Sequence, residues 1–173
     1  MKSLVDTAAS VELLCEAIVD RYHASLHDAL PKIRDEMASM NATAAPSAME
    51  HVRLAFADVA GQIESHLAKE EHLLFPAIAA LSADRDAQHA PPVFVTVMHP
   101  IRLMEAEHAR IETGIAQLRE LARAVPEPDS LSPHWQRCMT RLAQLDTELR
   151  EHHRIENEVL FPRALELERR LSV

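Results

Sequence analysis

Apolar residues recur at alternating intervals of three and four through four stretches of the chain, the spacing of one helix face turned toward a core. The last stretch reads Leu142, Leu145, Leu149, His152, Glu156, Val159. The first gives Cys15, Val19, His23, Leu26, Leu30, Ile33 and Met37; the second gives Val52, Phe56, Val59, Ile63, His66, Glu70 and Leu73. The third gives Val97, Ile101, Met104, His108, Ile111, Ile115 and Leu118. Each stripe is interrupted by one histidine, and the second and fourth also by a glutamate. An unpaired buried carboxylate is costly, so something must compensate these positions.

Proline punctuates the pattern. A first helix is expected from about Val11 to Met40, ending in NATAAPS, and a second from Pro46, suited to a first turn, to about Leu81. SADRDAQHAPP reads as a loop, about Phe94 to Ala124 as a third helix, VPEPDSLSP as a loop, and about His134 to Leu171 as a fourth helix. Pro31, Pro76, Pro100 and Pro162 fall inside or near the ends of these spans, where kinks or local breaks are expected. Short connections between long helices favour antiparallel neighbours. The expected fold is therefore all-α, an up-down-up-down antiparallel four-helix bundle, with residues 1–173 as one domain.

Composition agrees: two glycines and 3% aromatic residues suit helices packed with Leu, Ala, Ile, Val and Met better than sheets. A net charge of -9 with scattered Lys and Arg argues against a nucleic-acid partner. MKSLVDTAAS lacks the apolar segment of a signal peptide, and no apolar run is long enough for a membrane span, so a cytoplasmic protein with no membrane partner is expected. Cys15 and Cys138 are too few and too far apart for a disulfide framework or a thiolate zinc site, and read as small buried hydrophobes.

The interrupting histidines share a level. His23 and His66 lie about 18 and 20 residues from the first turn, His66 and His108 about 16 and 14 from the second connection, and His108 and His152 about 16 and 19 from the third. At about 1.5 Å of rise per residue the mismatches are a few ångströms. Antiparallel helices thus bring His23, His66, His108 and His152 to one layer. Glu70 and Glu156 join them, each four residues after its histidine and so on the same helix face. The two HxxxE segments, HLAKEEHLLFP and HHRIENEVLFP, also align over eleven positions with Glu, Leu, Phe and Pro in register. One core histidine is ordinarily a hydrogen-bonded structural residue; two HxxxE copies converging with two more histidines point to metal. Imidazole and carboxylate without thiolate suit iron, manganese or zinc, and six donors exceed one tetrahedral zinc. They suit two ions bridged by Glu70 and Glu156, with two iron ions the leading reading and zinc or manganese in the same pocket the alternative.

The other histidines read as surface residues. His51 lies about 22 Å along the axis from His66; His99 faces away from His108; His72 and His153 are off the stripes; His89 and His134 sit at loops or helix starts. His27, one turn from His23, has three roles open: ligand, hydrogen-bond partner behind a ligand, or surface residue.

RYHASLHDALP, HLAKEEHLLFP, RLMEAEH and HHRIENEVLFPRAL together resemble the hemerythrin-like HHE cation-binding domain of the bacterial iron-sulfur cluster repair di-iron proteins, over nearly all of residues 15–165. The resemblance implies iron ligands at His23, His66, Glu70, His108, His152 and Glu156, the six that the stripes select. It implies a role in nitrosative and oxidative stress, with nitric oxide or oxygen as diatomic ligand and with iron-sulfur proteins and an electron donor as partners.

Two departures stand out. The family's further ligand histidine, about 21 residues after the first, has no counterpart in MNATAAPS, and Glu112 stands where the family carries glycine. Glu112 is therefore expected to supply the missing donor as a third HxxxE, against the alternative of a flank glutamate facing water. The second departure is that the family's short N-terminal cysteine-bearing domain is not expected in this chain, which weakens what the resemblance implies about direct cluster repair. Two functions follow: a redox-active di-iron protein of cluster repair or nitric oxide reduction, or a non-enzymatic module that reversibly binds or senses oxygen, nitric oxide or iron.

Overall fold

The computed structural model describes residues 9–40, 46–82, 96–126 and 132–171, which form four helical rods in an up-down-up-down antiparallel bundle. The first rod comprises Val11–Ile18, a π-helical turn over Val19–His23, and Ala24–Ser39. The second comprises Pro46–Lys69, a π turn over Glu70–Leu74, and Phe75–Ala80. The third is uninterrupted over Met98–Arg123, and the fourth comprises Pro133–Ile155, a π turn over Glu156–Leu160, and Phe161–Leu171. Each rod packs on the next, and the fourth closes the ring against the first.

Local chemistry sets the ends. Ser10 accepts a hydrogen bond from the Leu13 N–H at 3.3 Å, and Ser132 accepts one from Trp135 at 3.1 Å, with Pro133 opening the helix behind it. Pro31 is carried inside its helix without a break, and Pro100 sits in the first turn of the third rod, where no intrahelical donor is required of it. Pro76 and Pro162 behave as expected of breaks. Lacking an N–H, they withdraw the bond that the His72 and Glu158 carbonyls would receive, and both carbonyls lie inside π turns. The Phe75 and Phe161 amides reach back five residues to the carbonyls of Glu70 and Glu156. The π turn of the first rod ends well before Pro31, so proline does not account for it.

These turns correct the sequence stripes. A π turn inserts one extra residue and rotates everything beyond it by about one position. Leu73 is 42% exposed while Leu74, Phe75 and Ile78 are buried, and Val159 is half-buried while Leu160, Phe161 and Ala164 are buried. In the first rod Ile18 and Tyr22 take the core positions expected of Val19. The third rod has no π turn, and all seven residues of its stripe are buried.

The apolar core is in two parts. One runs from Leu26 to Met40, Met49 to Leu67, Ile111 to Val125 and Trp135 to Leu149; the other contains Val11 to Tyr22, Leu74 to Ile78, Val97 to Met104 and Ile155 to Ala164. Between them lies a layer of buried polar side chains. Cys15 and Cys138 sit in separate parts, free and buried, and burial pushes both thiols up to about 12. Among the described residues no helix is long and apolar enough to cross a membrane.

Candidate metal centre

The layer collects His23, His66, Glu70, His108, His152 and Glu156, with His108 2% exposed and the other five fully buried. All four rods contribute. The donors form two groups whose ligating atoms lie within 4.8 Å of one another: His23, Glu70, His152 and Glu156; and His66, Glu70, His108 and Glu156. Glu70 and Glu156 belong to both.

Distances fit that division. His23 Nε2 and His152 Nε2 are 3.1 Å apart, and His66 Nε2 and His108 Nε2 are 3.2 Å apart. Two nitrogens each ~2.1 Å from one ion at a right angle are about 3.0 Å apart. Glu156 reaches both sides, with Oε1 2.8 Å from His152 Nε2 and Oε2 3.2 Å from His108 Nε2. Glu70 Oε2 lies 3.3 Å from His66 Nε2, 3.4 Å from His23 Nε2 and 3.7 Å from His152 Nε2. Neither oxygen of Glu70 has a partner in hydrogen-bond geometry, and neither does Glu156 Oε2. Buried carboxylate oxygens that converge on ring nitrogens without hydrogen bonds are disposed as donors to a cation.

Behind the inward nitrogens, the outward ones are held. Glu71 Oε1 accepts from His23 Nδ1 at 2.9 Å, Glu107 Oε2 from His66 Nδ1 at 3.3 Å, and Asn157 Oδ1 from His108 Nδ1 at 3.0 Å. Such partners fix the tautomer so that Nε2 presents its lone pair. Their positions follow the sequence: Glu71 and Asn157 each follow a shared glutamate, and Glu107 precedes His108. Lys69 Nζ adds a 2.6 Å bond to Glu107 Oε1. His152 differs, since its Nδ1 has no hydrogen-bond partner and its ring stacks on Tyr22 at 5.8 Å. The matched phenylalanines of the two repeats complete the walls, Phe75 stacking on His23 at 5.6 Å and Phe161 on His108 at 6.0 Å.

Burial, reinforced by His152, lowers His23 to about 4, and burial together with His108 and His152 lowers His66 to about 4. Both imidazoles are neutral at pH 7, the form that coordinates. Burial and then the Glu156 charge raise Glu70 well above the carboxylate range; burial would raise Glu156 too, but His152 and His108 hold it well below. Glu70 is thus held protonated beside an ionised Glu156, and a cation would displace that proton.

Glu112 is not brought into either donor group. Its side chain is 40% exposed, and its Oε1 meets His153 Nδ1 at 3.3 Å. The buried arc of the third rod runs through His108, Ile111 and Ile115, leaving Glu112 one position to the side, and that rod lacks the π turn that opens at Glu70 and at Glu156. His27, half exposed, lies behind the buried polar layer, 3.1 Å from Glu71 Oε1. His51, His72, His99 and His134 are exposed as expected, and His89 lies outside the described residues.

His153, expected at the surface, is 1% exposed and forms a further group with His66 and His108. The signal was available: Leu149, His153, Glu156 and Leu160 are spaced by four, three and four, as regular a path as the one through His152 and Val159. A helix in a bundle buries an arc wide enough for both.

Residues 99–172 match the hemerythrin HHE cation binding domain. The chain is also similar to proteins named iron-sulfur cluster repair protein YtfE from Yersinia pseudotuberculosis and Yersinia pestis, each 28% identical over 154 residues, or 88% of this chain. The match spans 65% of the length of those relatives. These findings bear out the resemblance to hemerythrin-like HHE domains and to the bacterial iron-sulfur cluster repair proteins.

Proposed function

We propose that this chain is a non-haem di-iron protein of the nitrosative and oxidative stress response, acting in iron-sulfur cluster repair or in the handling of nitric oxide or oxygen. The observation that carries this reading is the sharing of Glu70 and Glu156 between two buried groups of imidazoles. His23 and His152 would hold one iron, His66 and His108 the other, and the two glutamates would bridge them. Nitrogen and oxygen donors without sulfur, more than one zinc requires, suit iron. When bound, a carboxylate-bridged iron pair supplies one-electron redox chemistry and a coordination position for a diatomic ligand.

The protein's own groups prepare that chemistry. Glu71, Glu107 and Asn157 keep a proton on the outward nitrogens of His23, His66 and His108, so the inward ones are free to donate. The two halves of the core exclude water from the layer on both sides, which strengthens every interaction between ligand and cation. The names of the relatives state cluster repair; on this reading the chain does likewise, with iron as the delivered cargo and damaged iron-sulfur proteins and an electron donor as partners.

The test is anaerobic reconstitution with ferrous iron, iron counting and absorption spectroscopy, followed by incubation with a hydratase whose 4Fe–4S cluster has been damaged by nitric oxide. Two irons per chain and faster recovery of hydratase activity than ferrous salt alone produces are expected. Fewer than two irons would overturn the iron pair. A stable, reversible oxygen adduct with no transfer of iron would overturn repair and assign the chain to the binding and sensing class.

A further inference from the structure

The exposed apolar surface is concentrated on one face of the bundle. Five large apolar side chains are exposed among the described residues, and four of them, Leu54, Leu73, Leu103 and Leu121, belong to the second and third rods. Along the second rod Leu54, Asp58, Gly61, Ser65, Lys69 and Leu73 recur at intervals of three and four and so form one stripe. Leu103, Glu107 and Arg110, with Leu121 about three turns further on, form the matching stripe of the third rod. His66 and His108 meet at one level. From that level Leu54 and Leu121 stand about 18 and 20 Å along the axis in one direction, and Leu73 and Leu103 about 11 and 8 Å in the other. Between the two leucine pairs the rods flank an open groove of about 350 Å³, lined by Gly61, Lys69, Glu107 and Arg110 among others.

Three features of the groove point outward from the chain. A methyl group on Gly61 would meet nothing within 4 Å, so internal packing does not call for a glycine there. Glycine weakens a helix interior, and what it provides here is a bare floor that another backbone can approach closely. Arg102 and Arg110 are exposed and make no ion pair among the described residues, in a chain of net charge -9. Glu107 links the groove to the buried layer, with Oε1 2.6 Å from Lys69 Nζ and Oε2 3.3 Å from His66 Nδ1. One hydrogen bond and one imidazole separate the groove from the proposed position of an ion.

We infer that this groove docks an acidic protein that donates single electrons to the centre. The inference rests on the proposed iron pair and names the face through which it is reduced. The donor gives up one electron, which passes by way of Glu107 and the His66 ring and takes one ferric ion to ferrous; no bond is made or broken. Unpaired arginines beside exposed leucines suit a partner that carries carboxylates around an apolar centre. A face about 28 Å long and two helices, or about 20 Å, wide buries about 1,100 Å² in total against a partner, which is the size of a transient electron-transfer interface.

The probe is an acidic plant-type 2Fe–2S ferredoxin. Stopped-flow mixing of the reduced ferredoxin with the ferric protein, without oxygen, gives a second-order rate constant, and dithionite serves as a reductant too small to need docking. Arg110→Glu, Gly61→Arg and the pair Leu54→Glu with Leu121→Glu are each expected to lower the ferredoxin rate at least tenfold and to leave the dithionite rate within about twofold of wild type. The wild-type ferredoxin rate should fall with added salt, and Arg110→Glu should flatten that dependence. In the metal-free protein, amide shifts on adding oxidised ferredoxin should map to residues 54–73 and 103–121, a readout independent of iron loading and of any variant. Ferredoxin rates unchanged in all the variants, or shifts confined to the first and fourth rods, would overturn the inference and leave the iron pair standing. So would sedimentation showing that the groove variants separate a dimer, since a second copy would then be the occupant. A wild type that binds fewer than two irons would remove the reading on which the electron transfer rests.

Discussion

Replacing Glu70 with methionine should make the metal-free protein more stable and at the same time deprive it of its response to iron. Glu70 is fully buried, burial and Glu156 raise its pKa well above the usual range, and both of its oxygens lack hydrogen-bond partners. Even protonated, such a group carries an uncompensated desolvation cost on the order of 1–3 kcal/mol. Methionine has similar length, fills irregular space and buries apolar surface instead, and exchanges of buried ionisable groups for apolar ones often stabilise by about 1–4 kcal/mol. For a chain of this size each kcal/mol moves the melting temperature by about 2–4 °C, so Glu70→Met apoprotein should melt on the order of 5 °C higher than wild-type apoprotein. Iron should shift the two proteins in the opposite order. At a free concentration of ~100 times the dissociation constant, bound metal stabilises the wild type by about 2.7 kcal/mol, and the variant, lacking a donor common to both groups, should show little of that gain. Differential scanning calorimetry of both proteins with and without anaerobic ferrous iron reads all four values. If the metal-free variant melts lower than the metal-free wild type, Glu70 is a structural residue with partners of its own, and the case for a strained, ligand-ready carboxylate fails.

Three further outcomes are expected. Glu71→Ala removes the acceptor shared by His23 and His27, and a chelator competition should show metal affinity lowered about 10- to 100-fold with little change in urea midpoint; unchanged affinity would show that Glu71 does not orient His23. Acid should destabilise the apoprotein, because His23 and His66, near 4 when folded, take up protons near 6.5 when unfolded. Their contribution is full above pH 6.5 and is lost as pH falls toward 4, about 2 kcal/mol for each by pH 5, so a urea midpoint unchanged between pH 7 and pH 5 would refute it. Gly114→Ala sets a methyl group 2.8 Å from Val59 Cγ2, a clash that outweighs the gain in helix propensity and should cost about 1 kcal/mol. Adding Val59→Ala should then relieve the clash, leaving a double variant more stable than Val59→Ala alone, as equilibrium unfolding would show.

Hydrophobic periodicity by itself determined the four helices, because each rod must turn one face to a shared core and the 3.6-residue repeat records which face. It also placed His23, His66, Glu70, His108, His152 and Glu156 on those faces, since a polar residue on an apolar stripe is conspicuous. Short loops between long helices then carried them to one level. The tertiary structure decided what one-dimensional periodicity does not encode. The π turns at Val19–His23, Glu70–Leu74 and Glu156–Leu160 shift the register by one residue and exchange Leu73 for Leu74 and Val159 for Leu160 in the core. The width of the buried arc is likewise set by how closely the neighbouring rods approach, which is why His153 lies inside it and Glu112 at its edge. Spacing along one helix names the candidates for a site made between helices, but which of them point a free nitrogen or oxygen into it depends on side chains that the other three rods supply.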